Sequence, residues 1–591
     1  MTYRVLAAAM AFLALAALTA CGAEEFEDGD GTDLSIWFAP LDSNCSATAG
    51  TSYSEVKIRI RDNNLGKTVK EKTFKGEPPY SLKVPEGTDL EITCLGYTGG
   101  ATPTMYARGR HFIVSKDKTT DLDLKAQTFS GFTCVEAPSS APNILFPAVT
   151  NLPGGRVLVT GGFTKVKDTQ GRYEIFAPSQ VAYIYDPTDG SMRQANNLMN
   201  RGRGAHAAVY IPQTQQVLLV GGAETLYWDQ GGEGFPLYFE KSKAGTVGKT
   251  YELFDTVTET FVPRADMVDA GEAENEADLL FLSIPRVFPV AVVNNLGTVL
   301  VTGGGLWPSA AGTFEQDAKY QQVELYVPRI IGETESEGFV PNKGVAMMAL
   351  RTGHTAVHLE TQNKQSVYLF WGGNIHSDQP VAEIYTASSK QLVGDLGNFT
   401  QISFTDGDSY NKKRPFFHTM TPLASRRFLL AGGVNNSKGE LKVPSVNDAF
   451  LVSVDSNNVI STEKVEGLGT GRYLHTAASW DGKNVVLMGG FTSVTQGEQT
   501  LFADMATADV KVFNLSSKSL TGPDADDTMI PRAGAGAVVL PNDCIFLAGG
   551  VDAPALGLEA TGNPPPLLTE VYCPRTICPE GLWGSVCYLD E

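Results

Sequence analysis

The sequence predicts an all-β protein in which a small β-sandwich precedes a seven-bladed β-propeller. Three observations predict it. First, 61 Gly and 32 Pro in 591 residues punctuate apolar runs only four to seven residues long, the texture of many short strands. Second, one such run, closed by a Gly pair, is written seven times: "VLVTGG" (157–162), "VLLVGG" (217–222), "VLVTGG" (299–304), "YLFWGG" (368–373), "FLLAGG" (428–433), "VVLMGG" (485–490) and "IFLAGG" (545–550). The pairs begin at 161, 221, 303, 372, 432, 489 and 549, and spacings of 57 to 82 residues leave room for about four short strands each, the period of propeller blades. Third, residues 33–128 lack the repeat and alternate apolar with polar residues instead.

Composition narrows the partners. A formal net charge of −20 and a pI near 4.9 repel phosphate backbones, so nucleic acid is excluded. A hydrophobic content of 42% excludes wholesale disorder.

Residues 1–20 stand outside the fold. Arg4 gives a positive start, and "VLAAAMAFLALAALTA" (5–20) is an apolar segment short for a membrane span and without a stop-transfer flank. It runs into "LTAC", Leu18 to Cys21, which resembles the lipobox of bacterial lipoproteins. That resemblance implies a signal peptide over 1–20 and a membrane anchor through lipidated Cys21. With Gly22 rather than Asp following, it implies an outer-membrane lipoprotein facing the periplasm or the cell surface. The alternative is an ordinary secretory signal with a chance Cys. Residues 21–32 form an acidic tether, with "AEEFEDGDGTD" at 23–33.

The sandwich spans 33–128. "DLSIWFAP", "EVKIRIRD", "YSLKVP", "LEITCLGY", "RHFIVS" and "TDLDLKA" alternate in hydropathy between "DNNLG", "PEG" and "TGG" turns. The stretch is similar to immunoglobulin-like or transthyretin-like spacers of surface proteins. Leu90, Ile92 and Cys94 share one face, so Cys94 is expected to point into the core.

The propeller spans 129–575. After each Gly pair comes a strand ending near an aromatic, such as "YIYDP" (183–187), "YELFD" (251–255) and "TEVYCP" (569–574). Before the pairs come strands that open with Arg and carry His: "RGAHAAVYI" (203–211), "RTGHTAVHL" (351–359), "RPFFHTM" (414–420) and "RYLHTAASW" (472–480). The double Gly, the following Tyr and the R-x-x-H opening resemble the kelch repeat over about 130 to 575, although the usual outer-strand Trp is missing. The glycines are structural in this reading, since no helix follows them to complete a phosphate site. The last blade lacks a fourth strand, and "FTCVEA" beginning at Phe132 is expected to complete it from the N-terminal side.

Export permits disulfides, and removing Cys21 leaves an odd set: Cys45, Cys94, Cys134, Cys544, Cys573, Cys578 and Cys587. The strand placement favours Cys134–Cys573 as a ring lock, with Cys544–Cys573 as its rival. Cys45–Cys94 and Cys578–Cys587 would then pair and leave Cys544 free. The tail 576–591 contains "CPEGLWGSVC" (578–587), whose spacing resembles the last loop of EGF-like modules and implies one stapled hairpin. Zinc is the rival reading for clustered Cys, disfavoured because no His follows His475.

Turns between first and second strands are tight ("NLPGG", "QTQQ", "NNLG", "LAS", "WDGK", "LPND"), whereas several segments after the Gly pairs are long. Binding residues concentrate on such loops. Tyr227, Trp228, Phe235, Tyr238, Phe239, Trp307 and Phe314 cluster there, a composition suited to stacking on a glycan or gripping a protein. These side chains are expected in connecting loops rather than in a core. Asp266, Asp269, Glu272, Glu274, Glu276 and Asp278 crowd one link, but without a D-x-D-x-D-G run they read as a solvated loop rather than a calcium site.

No catalytic set emerges. His206, His354, His418 and His475 recur at one point of the repeat, which favours a structural role. Arg203, Arg286, Arg351, Arg472 and Arg532 recur likewise, either as structural ion pairs or, for Arg351 and Arg472 in particular, as anion contacts at the channel mouth. No G-x-S-x-G, H-E-x-x-H or Walker motif is present. The expectation is therefore a lipid-anchored envelope protein that binds a protein or glycan, with no metal or cofactor. The alternative is a carbohydrate-active kelch enzyme resembling copper-radical oxidases or sugar mutarotases.

Overall fold

A computed structural model describes residues 31–574 apart from 41–52, 86–88, 115–119, 167–172, 230–236, 240–246, 263–281, 306–317, 329–337, 341–344, 374–378, 388–396, 406–414, 523–529, 553–565 and a few stretches of one or two residues. The signal segment and Cys21, nearly all of the tether, Cys45, Phe235, the acidic link 264–280, Trp307, Phe314 and the tail with Cys578 and Cys587 lie outside the described residues. Those described are strands, turns and short 3-10 segments, and they fall into two compact units divided near residues 129 and 574.

The first unit is one seven-stranded sheet. Its strands are β1 (Thr32–Pro40), β2 (Glu55–Asp62), β3 (Lys67–Lys75), β4 (Tyr80–Val84), β5 (Asp89–Tyr97), β6 (Met105–Ile113) and β7 (Thr120–Thr128), in the order β3-β2-β5-β6-β7-β1-β4. β6 and β7 share only a short pairing, Met105 to Thr128 and Tyr106 to Gln127. The halves on either side of it put alternate residues into one core, Leu34, Ile36 and Phe38 from β1 against Val56, Ile58 and Ile60 from β2. Cys94 is buried in that core with a free thiol, opposite Ile58 on one neighbour and Ala107 on the other. The expected Cys45–Cys94 bridge is therefore not formed. β5 is an interior strand whose inward face packs into the core, and that burial pushes the thiol pKa up.

The second unit contains seven sheets built alike. In chain order their second strands are Val157–Thr160, Gln216–Val220, Val299–Thr302, Gln365–Trp371, Arg427–Ala431, Asn484–Met488 and Ile545–Ala548. Each second strand is hydrogen-bonded between a first and a third strand in antiparallel register, and a fourth strand follows in each sheet, with a fifth, Ser403–Phe404, added in parallel to the fifth sheet. These strands are apolar without alternation because both faces are covered, each sheet packing on the next. Leu158 and Ile184 of the first sheet meet Val217 and Phe254 of the second. Equivalent cores join the second to the third, and so on to the seventh. Between seventh and first, Phe546 stacks on Tyr185 with ring centroids 4.5 Å apart. The seven first strands touch in the same cyclic order, with Gly536–Val539 of the last against Ala148–Asn151 of the first.

The strand Gly131–Cys134, from the N-terminal side of the unit, completes the seventh sheet: Phe132 lies opposite Tyr572 and Cys134 opposite Glu570. That register corrects the expected Cys134–Cys573 lock, because it places Gly131, not Cys134, across from Cys573. On the other side of the same strand Ile545 faces Tyr572, so Cys544 meets Cys573 with Cα atoms 4.3 Å apart, and these two form the disulfide. Cys544 is thus not free. Cys134 is disulfide-bonded too, to a partner outside the described residues.

Candidate functional site: the Gly-pair end of the seven-sheet unit

The chain just before each first strand follows one pattern. In "RGAH", "RVFP", "RTGH", "RYLH" and "RAGA" the Arg is buried and its guanidinium turns to the Gly pair and third strand of its own sheet. Arg351 donates to Glu383 and to the Gly372 carbonyl, at 2.7 and 2.6 Å. Arg286 does the same with Glu324 and Gly303, at 2.7 and 2.6 Å. Arg203 with Glu252 and Arg532 with Glu570 repeat the pairing, and Arg472 pairs with Asp509. These arginines are therefore internal braces, and Arg351 and Arg472, considered as ligand contacts, are 1% exposed. A charge so buried is held in place by its carboxylate and by backbone carbonyls.

The third residue of the pattern has a positive φ in all seven copies: Phe146, Ala205, Phe288, Gly353, Phe417, Leu474 and Gly534. The strain of a left-handed Phe or Leu is offset by a chain of backbone hydrogen bonds running from copy to copy. Ala205 N donates to Phe146 O, Phe288 N to Ala205 O, Phe417 N to Gly353 O, Leu474 N to Phe417 O, Gly534 N to Leu474 O and Phe146 N to Gly534 O, all within 2.8–3.2 Å. The sequence hinted at this only through the Gly of "RTGH" and "RAGA". A small cavity of about 170 Å³ adjoins this chain, lined in part by Phe146, Phe288, Leu474, His206 and His475.

The fourth residue, His in four copies, bonds back to the preceding sheet. His206 Nε2 meets Thr160 Oγ1 at 2.9 Å, His354 meets Thr302 at 3.0 Å, His418 meets Thr355 at 2.8 Å and His475 meets Thr419 at 2.9 Å. Burial, reinforced by the neighbouring Arg, holds each imidazole well below its ordinary pKa, to about 3 for His418. The Gly pairs fit this packing. A Cβ on Gly432 (φ +63) would lie 2.4 Å from the Arg472 carbonyl and 2.8 Å from the His475 ring of the next copy.

Segments after the Gly pairs form further strands over this end. Phe163–Val166, Tyr173–Pro178, Leu226–Asp229 and Leu237–Tyr238 make one sheet, and Arg472–Tyr473, Phe491–Gln496 and Gln499–Ala506 make another. Their apolar side chains join the left-handed Phe residues in one cluster. Trp228 belongs to it: the residue is 3% exposed, in a strand rather than a loop, with its ring 5.1 Å from Phe491. Phe239 is buried against Phe163 and Phe288. This corrects the expectation that these aromatics stand in connecting loops. An indole in the middle of a sheet finds more apolar surface beneath it than solvent permits. Tyr227 stays half-buried, and its backbone pairs with that of Tyr238. The sequence residues thus separate: Trp228 is brought into the cap, Tyr227 remains near its surface, and Arg351 and Arg472 are buried as internal braces.

The copper-oxidase alternative requires Tyr and His ligands and a Tyr–Cys crosslink. Among the described residues no three His, Cys, Asp or Glu are grouped to hold a metal. The cysteines of this unit are committed to disulfides, and each repeat His spends Nε2 on a Thr. The described cysteines of this unit are therefore not available for a Tyr–Cys crosslink.

No protein-family model matches the chain, and no curated protein does. Solved structures similar to it include a fungal alcohol oxidase of the AA5 family in complex with copper (14% identity, TM-score 0.43, 76% of this chain and 77% of that one). Another is YjhT, at 11% identity and a TM-score of 0.36, covering 73% of this chain and 95% of that one. At these values neither likeness bears on the chemistry of this chain, whose described residues are all-β.

Proposed function

We propose that the seven alike sheets are the blades of a kelch-type propeller, and that the chain is a binding protein of the cell envelope, anchored through Cys21, whose ligand is a protein or a glycan. The cyclic order of first strands, closed by Gly131–Cys134 in the last sheet, supports the propeller. One observation carries the binding role: the recurring Arg pairs with Glu or Asp and each repeat His gives Nε2 to a Thr of the preceding sheet, so these polar residues serve to hold the sheets together. On this reading recognition falls to the outer surface of the cap and to the long segments after the Gly pairs, where Tyr227 and Trp307 are candidates and Trp228 is not. The net charge of −20 and the lipobox-like "LTAC" at 18–21 agree with an extracytoplasmic partner other than nucleic acid.

The test uses the full chain on a glycan array and in pull-downs from envelope extracts. Trp307→Ala combined with Tyr227→Ala is expected to weaken the binding found by about thirtyfold, the cost of losing a buried aromatic anchor of about 2 kcal/mol. Unchanged binding would remove this surface from the reading, and turnover of a sugar by the purified chain would replace binding with catalysis. For the anchor, Cys21→Ala is expected to release a folded protein from membranes. Retention after a high-salt wash would refute lipidation.

A further inference from the structure

We infer that the seams between the seven sheets form an acid-sensitive arc opposite an acid-insensitive closure. Histidine latches occur at four seams: first to second (His206), third to fourth (His354), fourth to fifth (His418) and fifth to sixth (His475). The last three are consecutive. At the remaining seams the same position is Pro289, Ala535 or Pro147, which do not titrate. The closure has its own fastenings: the Gly131–Cys134 strand, the Gly550 N–H to Ile144 O bond at 2.8 Å and the Asn143 Nδ2 to Gly550 O bond at 2.7 Å.

The surroundings of each latch explain why a proton opens it. His354 faces Arg351, Arg286 and His418, and His475 faces Arg472 and His418. His418 faces Arg351 and the Pro415 carbonyl, and His206 faces Arg203. The carboxylates near these latches, Glu383, Glu324, Glu252 and Asp509, are already paired with the arginines. An imidazolium would therefore add a cation beside a buried guanidinium with no unpaired carboxylate to balance it. If a base has a lower pKa when packed than when exposed, the packed form is fully favoured above the exposed pKa, near 6.5, and loses ground as pH falls below it. Opening one latch then takes up one proton, so its opening constant rises about tenfold per pH unit below that value. An opened arc exposes the cores between the third and sixth sheets, including Trp371 and Phe428.

Hydrogen exchange on the full chain at pH 7.5, 6.0 and 5.0, corrected for intrinsic rates, tests this. Amides of Gly372, Gly373, Gly432 and Gly433 are expected to lose protection by about tenfold or more from pH 6.0 to 5.0, while amides of 545–551 and 569–573 keep theirs. Equal loss in both regions, or none, would overturn the inference. His418→Gln, which keeps a nitrogen donor for Thr355 but does not titrate, is expected to lower protection at pH 7.5 and flatten the pH response of the fourth-to-fifth seam. A wild-type pH response in that variant would also overturn it. The wild-type comparison stands even if the variant folds poorly.

Discussion

The two units bury their cores by different means. The first relies on alternation: β2 reads half-buried, buried, half-buried along Glu55–Asp62, and Val56, Ile58 and Ile60 supply its inward apolar side chains. The second buries every residue of strands such as Val157–Thr160 and repeats in sheet after sheet an Arg–carboxylate brace of the kind the first unit has in Arg108–Glu91. A single sheet with one wet face can be specified by a two-residue period. A stack of sheets with both faces covered gives hydropathy no direction to encode, so orientation passes to polar groups that have only one place to bond.

Three measurements break or sharpen this comparison. The largest effect is expected from Arg351→Ala, which leaves Glu383 buried and unpaired and should cost about 3–5 kcal/mol in denaturant unfolding. Replacing both partners, Arg351→Met with Glu383→Leu, should cost much less. Equal losses would mean that the brace acts through packing alone. Next, Trp228→Ala should destabilise the protein by about 3 kcal/mol, because the residue is part of the apolar cap. A change near zero, together with lost ligand binding, would restore it to the recognition surface. The smallest effect is expected in the first unit. Cys94→Ala removes one buried sulfur and no bond, for about 1 kcal/mol, and non-reducing mass mapping should find Cys94 unlinked.

The repeat was legible in the sequence because it is local. The apolar run, the Gly pair and the R-x-x-H opening each lie within ten residues, and each depends on backbone geometry that only particular side chains tolerate. The completing strand was also legible, since a missing fourth strand at one end of a repeat must be supplied from the other. Disulfide pairing was not. "FTC" and "VYC" predicted neighbouring strands, but which Cys faces which depends on a register that a shift of one residue reverses, and Cys544 won Cys573.

The site was less legible still. Aromatics in a long segment after a Gly pair have the same composition whether they await a ligand or roof a core, and Trp228 and Phe239 proved to be roof. Sequence alone determined an all-β chain, its seven-fold repetition, its acidity and the residues that recur. Only the tertiary structure decided that the recurring Arg and His face inward, that left-handed residues link six of the seven neighbouring pairs of copies, and which aromatics are covered. Periodicity is written in the order of residues, whereas burial depends on what the rest of the chain lays on top of them.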